Sequence, residues 1–306
     1  MKSLDEVLKT AKQDTDEVLS KNPPVADRPN LDADELPDAG GETWYRVPDV
    51  VAVFADLEGS TKLSVGKHPA STAAIYRAAM NNAVACLHEF SADFIQIQGD
   101  GAFGLFWGRR AVERALCSGI TVRTYSQESL EPALQTRWPN APLTGFKVGV
   151  ANGSVLVKKV GTRRNADEQE PIWAGKPVNY AAKAAQQADR GQLIVTGSIW
   201  VEIEDNDYLV TSCGHSGGFS STPEPLWTDV LIDKIGHDRD DAAGRLLKSV
   251  WCEHCGPGFV VSILAGEKRR DIQDVERRRA RFTSDAAVSA KWNRLRVEHA
   301  DRRNSA

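Results

Sequence analysis

Two short apolar runs, each ending in an aspartate with glycine beside it, restrict what this chain can become. The first is Val51-Ala52-Val53-Phe54-Ala55-Asp56-Leu57-Glu58-Gly59-Ser60-Thr61, and the second runs from Phe94 through Gly99-Asp100-Gly101 to Phe106. Residues 50–57 are apolar and rich in β-branched side chains, which suits a buried strand. Residues 94–98 and 102–107 flank Gly99-Asp100-Gly101, a pattern that predicts a hairpin with Asp100 at its tip. If that hairpin pairs beside the first strand, Asp56 and Asp100 leave the same sheet edge. Like charges so close call for a cation between them. Carboxylate oxygens select Mg²⁺ or Mn²⁺, and two such ions are the usual clamp for in-line attack on a phosphate. The stretch 57–61 would turn from strand into helix, with Gly59 letting backbone N–H groups of Ser60 and Thr61 approach phosphate oxygens. Each aspartate alone could be a turn residue or a helix cap; both together, in this order and on these elements, favour the metal pair.

A third segment, Gly175-Lys176-Pro177-Val178-Asn179-Tyr180-Ala181-Ala182-Lys183, opens a helix with a polar pair at i, i+4 spacing. Asn179 could cap that helix and Lys183 could be a solvated side chain. Set beside the two aspartates, an amide and a cation on one helix face suit a phosphate-bearing substrate.

The rest of the chain is read around these segments. Apolar positions at helical spacing (Leu4, Val7, Leu8, Val18, Leu19) predict a helix over 3–20, followed by a Pro- and Asp-rich stretch over 21–42 that reads as a linker or wrapping arm. Helices are predicted over 70–90, 109–126 and 179–188, and a strand over 192–196. A strand pair is predicted at 146–152 and 155–159 around Gly153. The order β-α-β-β-α-β-β-α-β implies an α/β (α+β) fold, a mixed sheet with helices on one face as in ferredoxin-like domains. Residues 213–237 show little periodicity, 238–250 read as a helix, and 267–304 are Arg-rich. The chain therefore divides into an N-terminal helix and arm (1–45), a central domain (46–212) and a C-terminal extension (213–306).

Composition narrows the setting. A net charge of -4 argues against a general nucleic-acid binder, and the Arg-rich tail, interspersed with acidic residues, reads as a solvated helix face. No apolar run reaches the roughly 20 residues of a membrane span, and no secretory signal opens the chain. Five scattered cysteines are too few for a disulfide framework, so a reduced, cytoplasmic protein is expected. Cys252-Glu253-His254-Cys255 with Cys213-Gly214-His215 some forty residues earlier offers ligands for a structural Zn²⁺: Cys213, His215, Cys252 and Cys255. A redox pair or ordinary half-buried thiols are the other readings.

As a set, the three segments resemble those of the class III nucleotidyl cyclases, over about residues 46–212. The resemblance implies Asp56, Asp100 and the Leu57 carbonyl as ligands for two metal ions, Mn²⁺ or Mg²⁺. It implies Asn179 as the residue that orients the ribose, and a head-to-tail homodimer whose sites lie in the interface. The metal ligands would come from one protomer and the Asn179/Lys183 pair from the other. Lys183 stands where the family has arginine, keeping the charge and losing the planar fork. The two positions that read a purine in that family are Gln96 and Ile172 here, so neither charged purine-reading pair is present. A neutral amide suits the edge of uracil or cytosine, and Trp173 could narrow the pocket toward a single ring.

The segment 171–184 with that altered pair resembles the bacterial pyrimidine cyclases of Pycsar anti-phage systems. This implies conversion of UTP to cyclic UMP, with CTP, then ATP or GTP, then a non-catalytic module as alternatives. The product would act on a separate effector, with no membrane involved.

Overall fold

The structure, a computed structural model, describes residues 3–63, 68–162, 165–214 and 224–270. Its strands are β1 (Val25–Asp27), β2 (Trp44–Leu57), β3 (Phe94–Gln98), β4 (Gly101–Phe106), β5 (Phe146–Gly161), β6 (Gln169–Gly175), β7 (Leu193–Val195), β8 (Trp227–Leu231) and β9 (Ala243–Leu247). The helices are α1 (Leu4–Leu19), α2 (Pro69–Glu89), α3 (Ala111–Tyr125), α4 (Glu131–Arg137), α5 (Lys176–Gln187), α6 (Gly197–Ile203), α7 (Asp207–Val210), α8 (Arg239–Ala242) and α9 (Gly256–Ala265).

One mixed sheet organises the molecule, in the order β3-β4-β2-β5-β7-β9-β8, with β1 beside β2 and β6 beside β5. The apolar run predicted as a buried strand is its centre. β2 pairs antiparallel with β4 on one side and with β5 on the other, and Val50, Ala52, Val53 and Ala55 are fully buried. Such a strand needs apolar residues on both faces, because both faces are covered. Val51, Val53 and Ala55 pack with α2, α3 and α9, whereas Ala52 packs with Tyr180, Ala181 and Ala184 of α5 and with Leu31 and Leu36 of the N-terminal arm. The sheet is therefore flanked by helices on both faces, not on one as the element order suggested. Gly149 makes the second face possible: a Cβ there would lie 2.0 Å from the Ala181 carbonyl oxygen, so only glycine lets α5 approach β5.

The hairpin β3–β4 is fixed from below. Asp93 accepts from the Trp107 backbone N–H at 3.0 Å and pairs with Arg114 of α3 at 3.2 Å, both side chains buried. Removing one partner of such a pair strands a buried charge and costs about 3–5 kcal/mol. On the other side of α3, the buried Arg123 donates to the Gly191 carbonyl at 2.6 Å and to the carbonyls of Lys248 and Ser249, tying the C-terminal stretch to the sheet.

Three further expectations change. Residues 146–161 form one strand, because Gly153 lies opposite an irregularity of β2 between Val47 and Val50 and bends the pairing without reversing the chain. The far half of that strand recruits β6, which the sequence reading left unassigned. Residues 238–250 hold one helical turn and then β9, paired with β7 and β8. Short apolar runs do not distinguish strand from helix, and here sheet pairing decides. Thus β8 and β9 extend the same sheet from beyond residue 212. The N-terminal helix lies where predicted, capped by Ser3 and Glu6, with none of its residues buried. The predicted Arg-rich helical tail falls almost wholly outside the described residues. No described helix is long and apolar enough to cross a membrane.

Candidate active site

Register places the first acidic residue. Asp56 is the penultimate residue of β2, opposite Gly101 of β4 and Lys147 of β5. The second follows from the hairpin turn: Asp100 sits between β3 and β4, and its carbonyl accepts the Leu57 backbone N–H at 3.2 Å. Asp56 and Asp100 thus meet at one rim of the sheet, through the bond between Leu57 and Asp100. Gly101 suits this crowding, since a Cβ there would lie 3.1 Å from the Ala55 carbonyl.

The loop after β2 closes over the rim. Gly59 takes a left-handed conformation (φ 73°), and a single 3₁₀ turn over Ser60–Lys62 follows in place of the helix that the sequence suggested. Glu58 N–H donates to the Gly145 carbonyl at 3.0 Å, and the Thr144 hydroxyl to the Glu58 carbonyl at 2.5 Å. Ser60 is buried and its hydroxyl donates to Asp100 Oδ2; Thr61 is exposed. Ser60 therefore orients a carboxylate as well as flanking the loop.

Lys147 is a residue that the sequence reading did not single out. Its Nζ lies 3.0 Å from Asp56 Oδ2, with both side chains mostly covered. Its signal was alternation: Phe146, Val148 and Val150 face one core, so a lysine between them must emerge on the opposite face. Its ammonium offsets the charge of the Asp56 carboxylate. The donors at this rim are carboxylate oxygens, a hydroxyl and backbone carbonyls, hard ligands of the kind Mg²⁺ and Mn²⁺ take.

Asn179 and Lys183 lie on α5. α5 begins at Lys176, with Pro177 in its first turn. Asn179 is thus inside the helix rather than its cap; its side chain is exposed, and Nδ2 donates back to the Gly175 carbonyl at 3.0 Å. Lys183 Nζ lies 5.9 Å from the centre of the Tyr180 ring. The start of α5 is pinned by Lys176–Asp238 at 2.5 Å and by the Tyr180 hydroxyl, which donates to Asp238 at 3.2 Å. Gly175 pairs with Val155, whereas Asp56 pairs with Lys147 at the other end of β5. From there α5 runs back along β5, with Pro177 over Gly153 and Ala181 over Gly149, two residues from Lys147. Asn179 is on the exposed side of that helix.

The base-reading candidates differ in exposure. Gln96 is half-buried on β3, opposite Phe103, on the face that carries α5. Ile172 is 44% exposed, opposite Lys158. Trp173 is buried, its ring 4.8 Å from Phe94 and 5.7 Å from Trp107, and its indole N–H has no hydrogen-bond partner among the described residues. It is part of an aromatic layer over the sheet.

Of the cysteine candidates, Cys213, Cys252 and Cys255 come together near the start of α9, with all three sulfurs within 4.8 Å of one another. His215 lies outside the described residues.

No protein-family model matches the chain. A uridylate cyclase of Propioniciclava tarda is 49% identical over 263 residues, which span 85% of this chain and 83% of that one. A uridylate cyclase of Micromonospora echinofusca is 45% identical over 288 residues, 94% of this chain and 90% of the relative. Among solved structures, the adenylyl cyclase CyaB of P. aeruginosa covers 59% of this chain and 92% of its own, at 18% identity and a TM-score of 0.48. On the identity shared over most of their length with the two uridylate cyclases, the chain belongs to the uridylate cyclase family, class III nucleotidyl cyclases of the phosphorus–oxygen lyase type.

Proposed function

We propose that this enzyme converts UTP to 3′,5′-cyclic UMP and diphosphate, at two sites in the interface of a homodimer. The observation that carries the choice of base is the identity of 49% over most of the chain with a protein named uridylate cyclase. The neutral Gln96 on the α5-bearing face supports it, because an amide offers both a donor and an acceptor to a pyrimidine edge.

In this reading Asp56, Asp100 and the Leu57 carbonyl hold the divalent ions, Mn²⁺ or Mg²⁺, two per site. When bound, such ions supply Lewis acidity that makes the ribose 3′-hydroxyl a better nucleophile and offsets triphosphate charge. Ser60 keeps Asp100 turned toward the rim. Lys147 exchanges its contact with Asp56 for one with the polyphosphate, so the corner is never left with uncompensated charge. Gly59, Ser60 and Thr61 line the phosphate side of the loop. Asn179 of the second copy holds the ribose so that its hydroxyl is in line with the α-phosphorus, an orientational gain. Lys183 of the same copy faces charge that builds on the transferring phosphate. The exposure of Asn179 supports a shared site. Ile172 and Trp173 border the base side. The cyclic nucleotide would serve as a second messenger in anti-phage defence, acting on a separate effector in the cytoplasm.

The test is direct. The purified protein is incubated with each of the four nucleoside triphosphates and Mn²⁺, and products are identified by mass. Cyclic UMP as the main product is the expected outcome. Equal turnover of ATP and UTP would remove the argument from the base position, and no product with any nucleotide would favour a regulatory module.

A further inference from the structure

A cluster that the cyclase chemistry does not use lies on the opposite face of the sheet. Cys252 and Cys255 form a Cys-x-x-Cys turn that leads into α9, where Gly256 N–H donates to the Cys252 carbonyl at 2.7 Å and Phe259 N–H to that of Cys255 at 2.9 Å. Cys213 arrives from a different part of the chain, just after α7, in a segment paired to Pro225 through Thr211. The three sulfurs lie within 4.8 Å of one another and no disulfide joins them. A redox pair needs two sulfurs and leaves the convergence of the third unexplained. A tetrahedral metal uses all three.

The surroundings carry the second observation. Zn²⁺ with three thiolates bears one net negative charge. Cys255 stands at the N-terminus of α9, a ten-residue helix with no charged side chain, where the helix dipole favours negative charge. Arg270 donates to the carbonyls of Thr211 and Ser212 at 2.9 and 3.0 Å, so a guanidinium lies against the segment that delivers Cys213. Both features suit an anionic centre better than three neutral thiols.

We propose that Cys213, Cys252 and Cys255 bind one structural Zn²⁺ as thiolates. Binding releases the three thiol protons, and no electrons move. The ion fastens the segment that follows α7, through Cys213, to the start of α9. α9 packs on α3, where the Trp251 indole N–H donates to the Thr121 hydroxyl at 3.0 Å. The site is a clamp on the extension rather than part of the nucleotide cleft. It does not depend on the substrate reading, since loss of zinc and loss of cyclase turnover are measured separately.

The full chain, expressed with zinc in the medium and purified without chelator, should hold one zinc per chain by elemental mass spectrometry. Cys86→Ser, outside the cluster, keeps that metal, whereas Cys252→Ser and Cys255→Ser lose it. Exchange of the wild-type protein into Co²⁺ should give a thiolate-to-metal charge-transfer band and tetrahedral ligand-field absorption, a readout that needs no folded variant. Chelation should lower the melting temperature by roughly 5–10 °C. A metal-free wild-type protein, a cobalt spectrum without the thiolate band, or equal zinc in wild type and Cys255→Ser would each overturn the site.

Discussion

The acidic rim and the exposed face of α5, which serve one reaction in the function proposed here, are built in opposite ways. At the rim everything is fixed within one chain. Strand register sets Asp56, a hairpin turn sets Asp100, a backbone hydrogen bond joins them, and Ser60 and Lys147 hold the two carboxylates. On α5 the helix is placed with equal care, by Gly149 beneath it and by Asp238 at its start, yet Asn179 points to solvent. The exposed amide leaves room for a second copy to complete the site, the arrangement proposed above.

The sharpest way to break that comparison is at the rim. Asp56→Ala or Asp100→Ala should lower turnover at least about a thousand-fold with circular dichroism unchanged; retained turnover in either variant would end the metal assignment. Mixing the inactive Asp56→Ala and Asn179→Ala chains should then restore about a quarter of wild-type activity, because half of random pairs are mixed and each holds one intact site of two. No recovery would place both sets of residues within one chain.

On the helix, Asn179→Ala should cost roughly a hundred-fold in kcat with little change in KM, since orientation matters most in the transition state. Lys183→Arg should remain active and Lys183→Ala should not, because charge is the shared property and the planar fork is not. The smallest effect tests placement alone. Gly149→Ala pushes a methyl group against the Ala181 carbonyl and should destabilise the fold by about 1–3 kcal/mol, read in urea unfolding.

How much of this was legible in sequence differs between the elements. β2, the β3–β4 hairpin, α2 and α3 were readable because their periodicity is long or their turn chemistry is specific. The gathering of Cys213 with Cys252 and Cys255 was readable as a possibility from spacing. β6, β9 and the unbroken course of β5 were not, because each depends on a partner strand: Gly153 reads as a turn until the irregularity of β2 opposite it is known. Lys147 was missed because a single lysine in an apolar strand looks like ordinary alternation; only the register opposite Asp56 gives it a role. The helices on both faces were hidden for a related reason. A glycine in a strand does not announce which face a helix will approach.

By itself, the sequence determined that two aspartates would end apolar segments and that an Asn/Lys pair would share a helix face, since local patterning and turn chemistry act over a few residues. Only the tertiary structure decided that the aspartates meet at one rim under Ser60 and Lys147, and that the helix carrying the pair packs across β5 with Asn179 exposed. Distances between elements follow from register and close packing across the sheet, which no local window of the chain contains.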